Sequence, residues 1–137
     1  MKIRCQYNSG KIFNDYPQKP AGVNEDTEYG LLKIGKEYIV MGILIGEGIL
    51  EYLIDDGGII SAFPNQLFEV TDNKLPSNWY FRAFTKEDEI YPYQEAIWGY
   101  HELCFNNSHY EQLIEQEEEA VQTYFRQKIA LEKYLAQ

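Results

Sequence analysis

Positive charge is scarce in this chain: twelve lysines and arginines stand against twenty-two aspartates and glutamates, and no basic run occurs. Nucleic-acid binding depends on cations that neutralise phosphates, so the composition argues against a nucleic-acid partner. Cysteine is nearly absent, with Cys5 and Cys104 alone in 137 residues. Two thiols without an export signal read as reduced packing residues and exclude a disulfide framework. No apolar stretch approaches the ~18 residues that a membrane span needs. The start, Met1-Lys2-Ile3-Arg4-Cys5-Gln6, lacks the apolar run of a secretory leader. The expectation is a cytoplasmic protein without membrane contact.

What is plentiful is apolar, aromatic and acidic. Hydrophobic residues make up 45% of the chain and aromatics 15%, enough to build a core and exclude a disordered polyelectrolyte. A chain of this length suits one domain. The net charge of -10 is unevenly spread. Residues 1–85 carry eight basic and eleven acidic side chains, residues 86–137 four and eleven, so the last third is the acidic part. An acidic field favours capture of a basic protein partner by long-range steering, and it also serves solubility.

Alternation of Ile3, Cys5 and Tyr7 against Lys2, Arg4 and Gln6 predicts a half-buried strand. Residues 8–30 hold Ser9-Gly10, Asn14-Asp15, Pro17, Pro20 and Gly22, turn formers without periodicity, and predict a long loop with a brief strand at Lys11-Ile12-Phe13. Loops of that length inside a compact domain are often binding segments. Two β-rich runs, Glu37 to Ile45 and Ile49 to Ile54, flank Gly46-Glu47-Gly48 and predict a hairpin. Asp55-Asp56-Gly57-Gly58 supplies a second turn into Ile59 to Phe63. Pro64 cannot donate to a ladder, so it ends that strand before Leu67-Phe68-Glu69-Val70 resumes extended structure.

With Gly35-Lys36-Glu37 placed before the β-branched run to Val40, and with Phe63-Pro64-Asn65-Gln66-Leu67-Phe68 following the Asp55–Gly58 turn, residues 31–72 resemble a Src-homology-3-like small β-barrel. The resemblance implies a strongly bent antiparallel barrel used as a binding platform, a scaffold that hosts many functions. The peptide-binding members carry an early Ala-Leu-Tyr-x-Tyr motif and a Trp-Trp pair. This chain has Tyr7-Asn8-Ser9 and Ile59-Ile60 in those places, which removes the aromatic groove for polyproline ligands. The overall layout, a small barrel and then an acidic helix, is similar to small bacterial immunity-type proteins that accompany secreted toxins.

Asn78 to Phe84 predicts a strand with large rings on both faces, Trp79 and Phe81 against Tyr80 and Phe84, so it is either covered on both sides, the favoured expectation, or exposes an aromatic patch. Residues 85–106, including Ile90-Tyr91-Pro92-Tyr93 and Ala96 to Tyr100, predict an irregular aromatic bridge, because Pro92 weakens a strand and Gly99 a helix. Residues 107–136 predict one long helix. Ser108 and Glu111 stand at capping-box spacing, and Tyr110, Leu113, Ala120, Tyr124, Leu131 and Leu135 form its apolar stripe. Glu117 interrupts that stripe and is expected at the boundary between helix and barrel.

No catalytic constellation stands out. His101, Glu102, Cys104 and His109 offer three or four donors close in sequence, without a recognised zinc spacing or a nucleophile turn. The fold expected is therefore α+β, a small antiparallel Src-homology-3-like barrel over residues 1–84 followed by a bridge and a long C-terminal helix. The function expected is non-enzymatic protein binding without metal or cofactor, in the form of an immunity or inhibitor protein that meets a basic toxin or enzyme. Its candidate contact residues are Glu115, Glu117, Glu118, Glu119, Trp79 and Tyr80. A metal-binding or enzymatic protein using the His101–His109 region and a self-associating adaptor are the alternatives.

Overall fold

A computed structural model of the protein describes residues 1–88 and 94–136. It is an α+β fold with strands β1 (Lys2–Cys5), β2 (Glu37–Ile39), β3 (Gly42–Gly46), β4 (Ile49–Asp56), β5 (Ile59–Pro64), β6 (Phe68–Asp72), β7 (Tyr80–Ala83) and β8 (Ala96–Gly99). Helices α1 (His101–Phe105), α2 (His109–Ile114) and α3 (Glu118–Leu135) follow. All strand pairs are antiparallel, in a three-stranded sheet ordered β2-β1-β6 and a five-stranded sheet ordered β5-β4-β3-β8-β7.

Neither sheet closes into a barrel. The chain changes sheets within the run that reads as one strand from Glu37 to Ile45. Val40 N–H still donates to Met1 O of the first sheet at 3.0 Å, whereas Met41 N–H donates to Leu53 O of the second at 2.8 Å. The β3–β4 hairpin turns through Glu47 and Gly48, at φ 52° and 78°, and the β4–β5 hairpin through Gly57 and Gly58, at φ 59° and 85°. Two successive positive φ values give the primed turn whose twist matches the strands, which is why glycine occupies three of these four positions.

Three layers result. One core lies on the first sheet and holds Ile3, Cys5, Phe13, Tyr38, Val40, Tyr52, Ile54, Phe63 and Leu67. The other packs the opposite face of the five-stranded sheet against the helices and holds Leu44, Leu53, Ile60, Ile97, Leu103, Leu113, Tyr124 and Leu131. Alternation along β4 assigns its residues to the two sides, with Tyr52 and Ile54 in the first core and Leu53 in the second. Gly42 and Gly99 are cross-strand partners, and a Cβ on either would strike the side chain of Leu103. Their bare backbones form the dent in which α1 seats.

Several expectations are corrected by tertiary context. Lys11-Ile12-Phe13 belongs to a 3-10 helix, Gly10–Asp15, which buries Phe13. The irregular bridge of 85–106 contains β8, an interior strand, and α1. Its Ile90-Tyr91-Pro92-Tyr93 portion lies outside the described residues. The C-terminal helix is broken. Gln116 sits at φ 59°, with Gln116 N–H donating to Leu113 O at 3.1 Å and Glu117 N–H to Gln112 O at 2.9 Å. That pair of bonds is the Schellman ending, which closes α2 and lets α3 start in a new direction. Ser108 makes no side-chain cap, so the capping box is not formed. Strand β7 is an edge, not covered on both sides: Tyr80 is 46% and Phe81 52% exposed.

Candidate functional site

The long loop between β1 and β2 is an ordered wall. Gly10 N–H donates to Thr27 O at 2.7 Å and Tyr29 N–H to Asn8 O at 2.8 Å, while Phe13 anchors the segment in the first core. Gly10 lies so close to the Asn24 carbonyl that a Cβ there would collide with it. The loop's Lys19-Pro20-Ala21 stretch faces the β3–β4 hairpin across a cleft of about 300 Å³, which is also lined by Glu47, Glu51, Gln94 and Tyr110.

Two polar side chains of this cleft, Glu51 and Gln94, have no partner among the described residues. Glu51 stands on β4 opposite Leu44, on the helix-facing side of the strand, as the one charge in its Ile49–Ile54 portion. Burial pushes its carboxyl above the usual carboxylate range, and no hydrogen bond or ion pair offsets that among the described residues. Gln94 is 4% exposed, and neither its Oε1 nor its Nε2 has a partner among the described residues. Orphaned buried amides are rare and costly, so such a group at a cavity wall points to an external partner. Tyr110, on α2, has its hydroxyl pushed up by burial and then by the Glu51 charge.

The contact residues expected from the sequence form two separate surfaces. Glu115, Glu117, Glu118 and Glu119 are exposed at the corner where α2 gives way to α3. Glu117 is the cap residue of α3 in open solvent; it does not interrupt a stripe against a barrel, because the helix is broken beside it. Trp79 is half-buried and shares a second cavity, of about 270 Å³, with Gln127, Leu131 and Tyr134 near the other end of α3. At 1.5 Å rise per residue, Glu118 and Leu131 are roughly 20 Å apart along the helix. Tyr80 projects from β7 edge-to-face on His101 and Phe105, with centroids at 5.3 and 5.6 Å. The structure therefore does not join the acidic residues to the aromatic pair. It instead places the acidic corner near the cleft, since Tyr110 and Glu115 are separated by about 8 Å of α2 axis.

Six of the twelve lysines and arginines are engaged in ion pairs elsewhere. Lys2 and Arg4 pair with Glu37, Arg4 also with Glu69, Lys33 and Lys36 with Asp56, Arg82 with Asp88 and Lys128 with Asp55. Among the described residues, no cation lies within ion-pair distance of the Glu115–Glu119 corner.

The residues of the His101–His109 segment face different surroundings. His101 is exposed between Tyr80 and Phe105, whereas His109 is buried with a ring nitrogen 2.6 Å from the Tyr100 hydroxyl. The Cys104 thiol is buried among carbonyls of Tyr80, Ile97 and Gly99, and burial pushes it up to about 11, which disfavours a thiolate nucleophile. Cys5 and Cys104 are free thiols in different cores. Among the described residues, no group of three or more His, Cys, Asp or Glu side chains is placed to hold a metal, and no helix is long and apolar enough to cross a membrane.

In comparisons with protein-family models, curated proteins and solved structures, nothing matches this chain. The cleft residues Glu51, Gln94 and Tyr110 are not singled out by sequence reasoning. One signal was there for Glu51, the lone charge in Ile49-Leu50-Glu51-Tyr52-Leu53-Ile54. Gln94 carries none, because its burial is decided by the hairpin and the loop packed around it.

Proposed function

We propose that this chain is a non-enzymatic binding protein that captures a basic protein partner, in the manner of a cytoplasmic immunity or inhibitor protein neutralising a toxin or enzyme. The observation that carries the reading is the acidic corner Glu115–Glu119, exposed and without an ion pair among the described residues, while six of the lysines and arginines are held by carboxylates elsewhere. Unpaired surface charge of one sign steers an oppositely charged partner and speeds its docking. Candidate partners are the basic proteins encoded beside this chain's gene, and each is tested by association kinetics at low and physiological salt. With the true partner, changing Glu115, Glu117, Glu118 and Glu119 together to Gln slows association roughly ten-fold or more, and added salt erases much of that difference. Equal rates for the variant and the parent at low salt, or no complex with any neighbour, refute the reading.

The exposed rings of β7 favour a second reading, association between two copies of this chain through the edge strand. Edge strands present unpaired backbone groups that template pairing. Sedimentation over a hundred-fold concentration range gives a mass that rises toward a dimer if this holds and a constant monomer if it does not.

A further inference from the structure

We propose that the cleft between the Asn8–Tyr29 loop and the β3–β4 hairpin receives an arginine side chain of the basic partner, with Glu51 taking the guanidinium and Gln94 the adjoining peptide group. This rests on the basic-partner reading and names where its most specific contact falls. The Gln94 amide offers its NH2 group as donor and its carbonyl oxygen as acceptor, both buried and without a partner among the described residues, at the wall of a cavity of about 300 Å³. A peptide group presents the complementary acceptor and donor. Beside it stands the Glu51 carboxylate, which has no cation within ion-pair distance among the described residues, so the counterpart it lacks is positive.

Guanidinium suits the position better than ammonium. It is planar, weakly hydrated and carries five donors in a fork, so it meets a carboxylate bidentately and gives up less hydration on entering a half-closed site. A second carboxylate, Glu47, lines the same cleft and adds to the attraction. Lys19 opposes it from the loop side, but its side chain is exposed and long enough to turn toward solvent. A ligand that supplies these hydrogen bonds and adds an ion pair offsets the cost of leaving the groups unpartnered.

The test titrates the full chain with acetyl-Gly-Arg-Gly-amide and with the citrulline peptide, a neutral isostere, by NMR and calorimetry. The arginine peptide is expected to bind saturably at millimolar concentration or below and to shift the Gln94 side-chain amide resonances. The citrulline peptide and the Glu51→Gln variant are each expected to bind about ten-fold more weakly or worse, the scale of a lost charge-assisted hydrogen bond. The Gln94 shifts in the unmodified protein report on the site even if Glu51→Gln folds poorly. Equal binding of the two peptides, no saturation, or an unmoved Gln94 amide overturns the inference. If a basic partner binds with an affinity indifferent to Glu51→Gln, the cleft assignment fails and the basic-partner reading stands. If the arginine peptide binds as expected while no basic protein does, the reverse holds.

Discussion

Replacing Tyr124 with alanine is expected to cost about 3–5 kcal/mol of stability, the range for deleting a fully buried aromatic ring. Domains of this kind are stable by only about 5–15 kcal/mol, so the variant sits near or below its folding threshold at 37 °C. Tyr124 has no exposed surface and fills the space between α3 and the five-stranded sheet. Its ring meets Phe125 edge-to-face at 5.1 Å, and its hydroxyl donates to Asp55 Oδ1 at 2.8 Å. Asp55 also accepts from Lys128 at 2.8 and 3.0 Å, so one carboxylate at the end of β4 ties down a full turn of α3. Tyr124→Phe separates the two contributions. It keeps the ring, leaves Asp55 with Lys128, and is expected to lose about 1 kcal/mol. Urea unfolding followed by circular dichroism measures both, and a loss below about 1 kcal/mol for the alanine variant would show that the ring is not what holds α3 to the sheet.

The neighbouring residue acts on the other side of the sheet. Asp56 is 3% exposed and receives Lys36 Nζ at 2.9 Å, Lys33 Nζ at 3.1 Å and the Tyr38 hydroxyl at 2.8 Å. The lysines flank the turn that leads into β2, so this carboxylate joins β4 to the entry of the three-stranded sheet. Asp56→Ala is expected to cost about 2–3 kcal/mol, chiefly by leaving the buried Tyr38 O–H without an acceptor while its oxygen still accepts from Lys33 N–H, because the partly exposed lysines regain water. The Lys36 contact, with Tyr38 and Lys33, holds the Asp56 carboxyl down at about 2 against the opposing effect of burial. A pKa depressed on folding means the folded state resists protonation. Its stabilisation is therefore complete above about pH 4, where the unfolded carboxyl is already ionised, and is lost as the pH falls through about 2. The Asp56-dependent part is on the order of 1–2 kcal/mol after allowing for solvent around the lysines. The difference in stability between the parent and Asp56→Asn is accordingly expected to shrink between pH 4 and pH 2 in a series of urea titrations. A pH-independent difference would remove the ionised carboxylate from the account.

Adjacent aspartates thus brace opposite faces of one sheet, although in the sequence Asp55-Asp56-Gly57-Gly58 reads as a turn and nothing more. The turn is real, and so is the strand end at Pro64, because both depend on dihedral preferences of a few consecutive residues. The same locality explains the recovery of the β3–β4 and β4–β5 hairpins, the aromatic strand around Phe81 and the helical stripe from Ala120 to Leu131. The candidate contact residues are legible in the sequence only in part. The acidic corner could be seen as composition, while its separation from Trp79 and Tyr80 could not, since it follows from a helix break at Gln116, a residue with no preference for positive φ.

What the sequence determines by itself is the α+β class, the turns and strands from Glu37 to Asp72, and an excess of carboxylates toward the C-terminus, because propensity, periodicity and charge are properties of neighbours. Tertiary structure alone decides that the strands divide between two sheets, that Tyr80 and Phe81 stay at an uncovered edge, and that Glu51 meets Gln94 and Tyr110 in a cleft while Asp55 and Asp56 find their cations. The contact of Tyr124 with Asp55 spans 69 positions, and that of Asp56 with Lys36 spans 20. At such separations no local signal marks which buried charge is matched and which is not.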